Sequence, residues 1–137
     1  MNYLLDTNAC IALINGNPAS VRAKFKKAAD GGAQVFVSSI ALFELWYGVE
    51  KSSRQEFNKN RLEGFLAGPV HPLSFEDEDA EIAGAIRAKL EDAGKPIGAY
   101  DVLIAGQALR NKLTLITSNI SEFARIKELQ WADWGKP

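Results

Sequence analysis

The feature that most constrains this chain is an alternation of short apolar runs with longer helix-patterned stretches. Tyr3-Leu4-Leu5, Gln34–Val37, Val70–Phe75, Leu113–Thr117 and Leu129–Trp131 are each a few residues long and rich in aliphatic or aromatic side chains, as strands buried in a sheet must be. Between them lie helix-patterned stretches from Thr7 to Ile14, Ala19 to Ala29, Ile40 to Glu50, Arg54 to Leu66, Glu76 to Ala93 and Asp101 to Asn111, with a last helical turn near Glu122–Ile126. The long one carries Ile82, Ile86 and Leu90 on a single face. Asn15-Gly16-Asn17 stops the first helix, Asn17-Pro18 reads as a cap followed by a first-turn proline, and Ser38-Ser39 caps the third. Strands that alternate with helices predict a single α/β domain over residues 1–137, with a short-stranded, mostly parallel central sheet flanked by helices. Such sheets place ligands at the carboxyl ends of their strands.

Three acidic residues stand near those ends. Asp6 follows the first strand directly, where it can cap a helix or serve a site. Glu44 lies in Ile40-Ala41-Leu42-Phe43-Glu44-Leu45-Trp46-Tyr47, an otherwise apolar helix. Its neighbours three and four residues away are Ile40, Ala41, Tyr47 and Gly48, none of them a cation. A carboxylate there needs a bound cation or hydrogen-bond donors, or else must face water beside Gly48. Asp101 opens the helix that follows Gly98-Ala99-Tyr100, where the helix dipole favours an anion and a cap is the simpler role. In that helix Ala105, Gly106 and Ala108 suit close packing against a neighbour. Converging carboxylates repel one another and call for shared protons or a metal. An oxygen-ligand cation such as Mg2+ needs only one or two of them directly.

Composition removes the competing chemistries. A single histidine, His71, rules out a two-histidine ribonuclease, and no motif places it in a triad. The sequence has no GxxxxGK[ST] loop, no GxGxxG fingerprint and no CxxC pair. The lone Cys10 excludes an internal disulfide and reads as a small buried apolar residue. A net charge of −1 advertises no nucleic-acid binder, so phosphate attraction must come from local cations or a metal. Arg22, Lys24, Lys26, Lys27, Lys51, Arg54, Arg110 and Lys112 are candidates, although most cations of this kind only solvate a helix face. The N-terminal run lacks a basic leader and no stretch is long enough to span a bilayer, so a cytoplasmic protein with no membrane partner is expected.

Leu4-Leu5-Asp6-Thr7-Asn8, the segment from Ser38 to Gly48, Ile97–Ala105, and Thr117-Ser118-Asn119 with Glu122-Phe123 and Asp133-Trp134 together resemble the PIN-domain nucleases, and among them the VapC-type toxins of bacterial type II toxin–antitoxin modules. The resemblance spans essentially the whole chain. It implies a metal-dependent endoribonuclease using Mg2+, with Mn2+ also suitable, in which Asp6, Glu44 and Asp101 take the family's acidic metal-site positions. It also implies products with a 5′-phosphate and a 3′-hydroxyl. Where many PIN domains carry a further acid, this chain has the neutral Asn119, with Glu122 three residues on. Asn119 could orient a water or a phosphate and Glu122 could supply the missing charge, or the two could form a capping box. Expected partners are a VapB-type antitoxin, an RNA substrate and a second copy of the chain, with DNA reached only through the antitoxin. The dimer surface would come from the helix around Phe43, Leu45 and Trp46 or from Trp131 and Trp134. Two other readings are an RNA-processing PIN nuclease without an antitoxin and a non-catalytic interaction module.

Overall fold

A computed structural model describes residues 1–137. Its elements are β1 (Tyr3–Leu5), α1 (Thr7–Asn15), α2 (Ala19–Asp30), β2 (Val35–Ser38), α3 (Ser39–Lys51), α4 (Gln55–Leu66), β3 (His71–Leu73), α5 (Asp77–Asp92), α6 (Ala99–Arg110), β4 (Thr114–Ile116), α7 (Ile120–Phe123) and β5 (Trp131–Ala132). The five strands form one sheet in the order β3-β2-β1-β4-β5, and every pair is parallel. β1 lies at its centre. Tyr3 faces Val35 on one side and Thr114 on the other, and Leu5 faces Val37 and Ile116.

Successive strand residues point to opposite faces of a sheet. Leu4 and Leu5 are both fully buried, as are Leu115 and Ile116, so helices cover the sheet on both faces. Each such side chain contributes about 1.5–3 kcal/mol by leaving water. Phe123, Ile126, Leu129 and Trp134 join the same core. Trp134 packs edge-on against Tyr3 at 5.2 Å, which removes it from the candidate dimer surface. Leu45 is buried as well, whereas Phe43, Trp46 and Tyr47 on the same helix are exposed and do not serve as core.

Local chemistry explains the element boundaries. Gly16 ends α1 in the left-handed conformation (φ 67°), and its N–H donates to the Ala12 carbonyl. The cap of α2 differs from expectation: Pro18, not Asn17, occupies the cap position, and no side chain caps the helix. Ser38 caps α3 by accepting the Ile40 N–H at 3.0 Å. α6 starts at Ala99, two residues before Asp101, with Gly98 in the cap position. A methyl group on Gly106 would come within 2.7 Å of the Ala83 Cβ, so this glycine sets how closely α5 and α6 approach. β5 falls at Trp131–Ala132, beyond the expected Leu129, because pairing with Leu115 and Ile116 leaves Leu129 to fill the core. No helix is long and apolar enough to cross a membrane.

Candidate active site

The chain reverses its direction across the sheet between β1 and β4, where the crossovers leave a crevice at the strand ends. Asp6 stands at the end of β1 and Thr117 directly after β4. Asp6 is 3 % exposed and fills the cap role that its sequence position allows. Its Oδ1 accepts the Ala9 N–H at 2.8 Å and so caps α1, while the Thr117 side chain also hydrogen-bonds the carboxyl. Burial raises its pKa above the ordinary value; those two hydrogen bonds oppose the rise, and the charges of Glu44 and Asp133 add to it.

Glu44 is half-buried in the second turn of α3. The donor its helix lacks comes from α1: the Thr7 hydroxyl donates to Glu44 Oε1 at 2.7 Å. Thr7 follows Asp6 directly, so this single bond ties the end of the first strand to α3. The role of Thr7 was not read from the sequence, because a contact between residues so far apart in the chain leaves no local pattern.

Asp101 projects from the first turn of α6 and does not cap it. Its pKa is pushed up to about 6, first by burial and then by Glu122, Asp6 and Glu44, with the Asn119 amide pulling the other way. Asn119 Nδ2 lies 3.4 Å from Asp101 Oδ2 and 2.7 Å from Glu122 Oε2. Glu122 Oε1 accepts the Gly98 N–H at 2.7 Å. These two donors, then Arg125, hold the Glu122 carboxyl below its usual range. The capping box therefore does not form: Asn119 makes no side-chain cap, and its amide bridges two carboxylates instead. Gly98 is small for the same reason, since a Cβ there would stand 3.2 Å from Asp101 Oδ2 and 3.8 Å from Glu122 Oε1.

The five residues singled out in the sequence thus divide into a core and a brace. Asp6, Glu44 and Asp101 act on one another through space, while Asn119 and Glu122 are bonded together beside Asp101. The donor set is entirely oxygen and the principal charges acting on Asp101 are all negative, a mixture that repels itself until a cation enters. No three acidic, histidine or cysteine side chains close into a ready-made ligand cage. An all-oxygen donor set suits a divalent cation that prefers oxygen ligands.

Several candidate cations turn out to be committed elsewhere. Arg22 donates to the carbonyls of Leu13 and Ile14 at the end of α1, Lys24 to that of Lys136, and Lys26 pairs with Asp30. Arg110 pairs with Asp79, and Arg54 lies 3.9 Å over the Phe57 ring. Cys10 is buried beneath Asp6 and its thiol pKa is pushed up by burial. His71 lies exposed on the edge strand.

The model of the PIN domain matches residues 3–129. The chain is 39% identical over 134 residues to a tRNA(fMet)-specific endonuclease VapC of Shigella flexneri, covering 98% of both proteins. It is 39% identical over 136 residues to the ribonuclease VapC2 of Rickettsia felis, covering 99% of this chain and 100% of that one. A crystal structure of VapBC2 from Rickettsia felis, bound to a DNA fragment from its promoter, superposes with a TM-score of 0.91 at 37% identity, over 98% of this chain and 99% of that one. PIN nucleases use a divalent metal, and the oxygen-lined crevice at the switch point is where this fold would hold one. The chain belongs to the PIN-domain family and, within it, to the VapC ribonucleases.

Proposed function

We propose that this protein is the toxin of a type II toxin–antitoxin module, an endoribonuclease that hydrolyses RNA phosphodiesters with Mg2+, or Mn2+ in its place. The observation that carries the reading is the cluster of Asp6, Glu44 and Asp101, in which burial and the neighbouring carboxylates raise the pKa values of Asp6 and Asp101. In this reading Asp6 and Asp101 are the direct metal ligands. A cation bound there supplies positive charge to the phosphate oxygens and makes a water molecule more acidic.

The protein's own groups do the rest. Asp6 is held to one rotamer by the Ala9 N–H and the Thr117 side chain, which spares the entropy of ordering it at each turnover. Glu44, steadied by Thr7, would position the attacking water or hold the cation through a water. Asn119 presents its amide N–H groups to Asp101 and Glu122, and its oxygen can accept from a water. Glu122 is bound by the Gly98 N–H and by Asn119, so its part is to fix that amide and to add negative charge.

The relative from Shigella flexneri is named for tRNA(fMet), which makes initiator tRNA the substrate of choice. The structure from Rickettsia felis contains VapB, VapC and promoter DNA. We extend that arrangement here: a VapB-type antitoxin blocks the crevice and carries any contact to DNA. A homodimer would use the exposed Phe43 and Trp46 of α3, and the 137 residues would work as one PIN domain in the cytoplasm. Sequencing of RNA 5′ ends after brief expression tests the reading. Wild type should create new 5′-phosphate ends at few sites, initiator tRNA among them, and Asp6→Asn should create none. Identical end profiles from the two forms would sink it.

A further inference from the structure

One cavity opens on Glu44 and is required neither by the metal chemistry nor by the packing. Formed between α1, α3 and α4 and open to solvent, it measures about 180 Å3, and the aliphatic Leu45, Val49 and Leu62 line it beside Glu44, Asn58 and Arg61. That volume is below the roughly 300 Å3 at which drug-sized pockets begin and suits one flat ring system.

Its polar groups are arranged for such a guest. Arg61 is half-buried and held by the Ile14 carbonyl at 3.1 Å and by Asn15 Oδ1 at 2.6 Å. It takes part in none of the ion pairs of the protein. Its guanidinium carbon also lies 5.5 Å from the centroid of the Phe57 ring, so the group is positioned without being paired to a carboxylate. The hydrogen bond it makes uses the oxygen of the Asn15 amide and leaves that amide's N–H groups free. Asn58 lines the cavity with an amide that makes no hydrogen bond within the protein. Gly48 lies inside α3, where glycine weakens a helix, yet a methyl group there would meet nothing within 4 Å. No neighbour in the fold demands that glycine, and it forms part of the wall of the cavity.

We propose that this cavity receives one unpaired RNA base beside the bond to be cut, stacked on Arg61 and read at its edge by Asn15 and Asn58. The proposal rests on the ribonuclease reading above. Other guests fit less well. A phosphate would meet the Glu44 carboxylate, and an aliphatic side chain would leave the Asn58 amide unpaired at a cost. A nucleobase offers an aromatic face, which guanidinium planes stack against, and an edge of donors and acceptors that amides can match.

The test uses short single-stranded RNA oligonucleotides in which an abasic residue is stepped along the chain. Full-length protein is titrated with them in Ca2+ by fluorescence anisotropy, and the same RNAs are incubated in Mg2+ to score cleavage. One abasic position should weaken binding by wild type about tenfold, the worth of one stacked base. Asn58→Leu, and Gly48→Leu as a plug, should each bind the intact RNA as weakly as wild type binds that abasic form, with melting curves confirming the fold. An abasic penalty that persists in both variants overturns the proposal, as does RNA that fails to bind at all. If both variants bind intact RNA normally but lose affinity for the VapB-type antitoxin, the cavity serves a protein and the proposal falls. If the position-specific penalty is found and both variants erase it, yet no form cleaves RNA in Mg2+, the base site stands and the nuclease reading fails.

Discussion

Two aspartates of this protein are almost completely buried, and they are treated in opposite ways. Asp79, fully buried in the first turn of α5, is surrounded by donors: Arg110 pairs with one oxygen, and the Glu76 N–H donates to the other at 2.8 Å. Asp6 is as deeply buried, but the charges near it are those of Glu44 and Asp133, and its donors are only an N–H and a threonine side chain. A buried carboxylate that is fully paired is part of the architecture. One left among other anions holds electrostatic energy that a cation can release. Burial alone does not distinguish a site from a brace; the sign of the surroundings does.

That contrast can be broken first at Asp6. Asp6→Asn should cut cleavage of a substrate RNA by about a hundredfold or more, a loss on the scale of removing one group that stabilises charge in a transition state. It should also leave the metal-free protein as stable or raise its Tm by about 2–4 °C, because a repelled charge is lost while the cap to Ala9 survives. Calorimetry beside single-turnover kinetics reads both; a large fall in Tm would make Asp6 a brace like Asp79. The converse substitution, Asp79→Asn, should cost about 2–3 kcal/mol in urea unfolding, the worth of hydrogen bonds to a charged group. Cleavage per folded molecule should then be unchanged.

The smallest expected effect concerns Asp101. Its pKa is raised from 3.8 to about 6, so the folded form binds the proton more tightly than the unfolded chain does. Its contribution to stability is therefore present at low pH and declines as pH rises from about 4 to about 6. The Tm of metal-free wild type should fall across that window relative to Asp101→Asn, and added Mg2+ should restore it above pH 6. Glu122 has the opposite shift, but it is common to both proteins and largely drops out of the difference. A Tm difference that does not change with pH would remove Asp101 from the repelling cluster.

Much of this arrangement was legible in the chain. Tyr3–Leu5 was read to the residue, and the helix ends fell within a few residues, because Gly16, Ser38 and the apolar periodicities act locally. Glu44 stood out because its own helix offers it no partner. The roles of Asn119 and Glu122 were not legible. Their spacing fits a capping box, and only the fold brings the Gly98 N–H and Asp101 near enough to claim them instead. Asp79 was missed for a related reason: among Glu76, Asp77 and Glu78 it resembles a solvated helix start, and Arg110 reaches it from 31 residues away. Long-range partners decide the meaning of an acidic residue, and they leave no periodicity to read.

The central position of β1 also has a consequence in time. Asp6 is made long before Thr114–Ile116, and its strand is paired on both sides only once that segment has followed. At about 5–20 residues per second, roughly 5–20 s of synthesis separate the two. Until then the nascent chain holds Asp6, and later Glu44, without Thr117, Asn119 or Glu122 beside them. The crevice therefore comes into being only as the last of its walls is made.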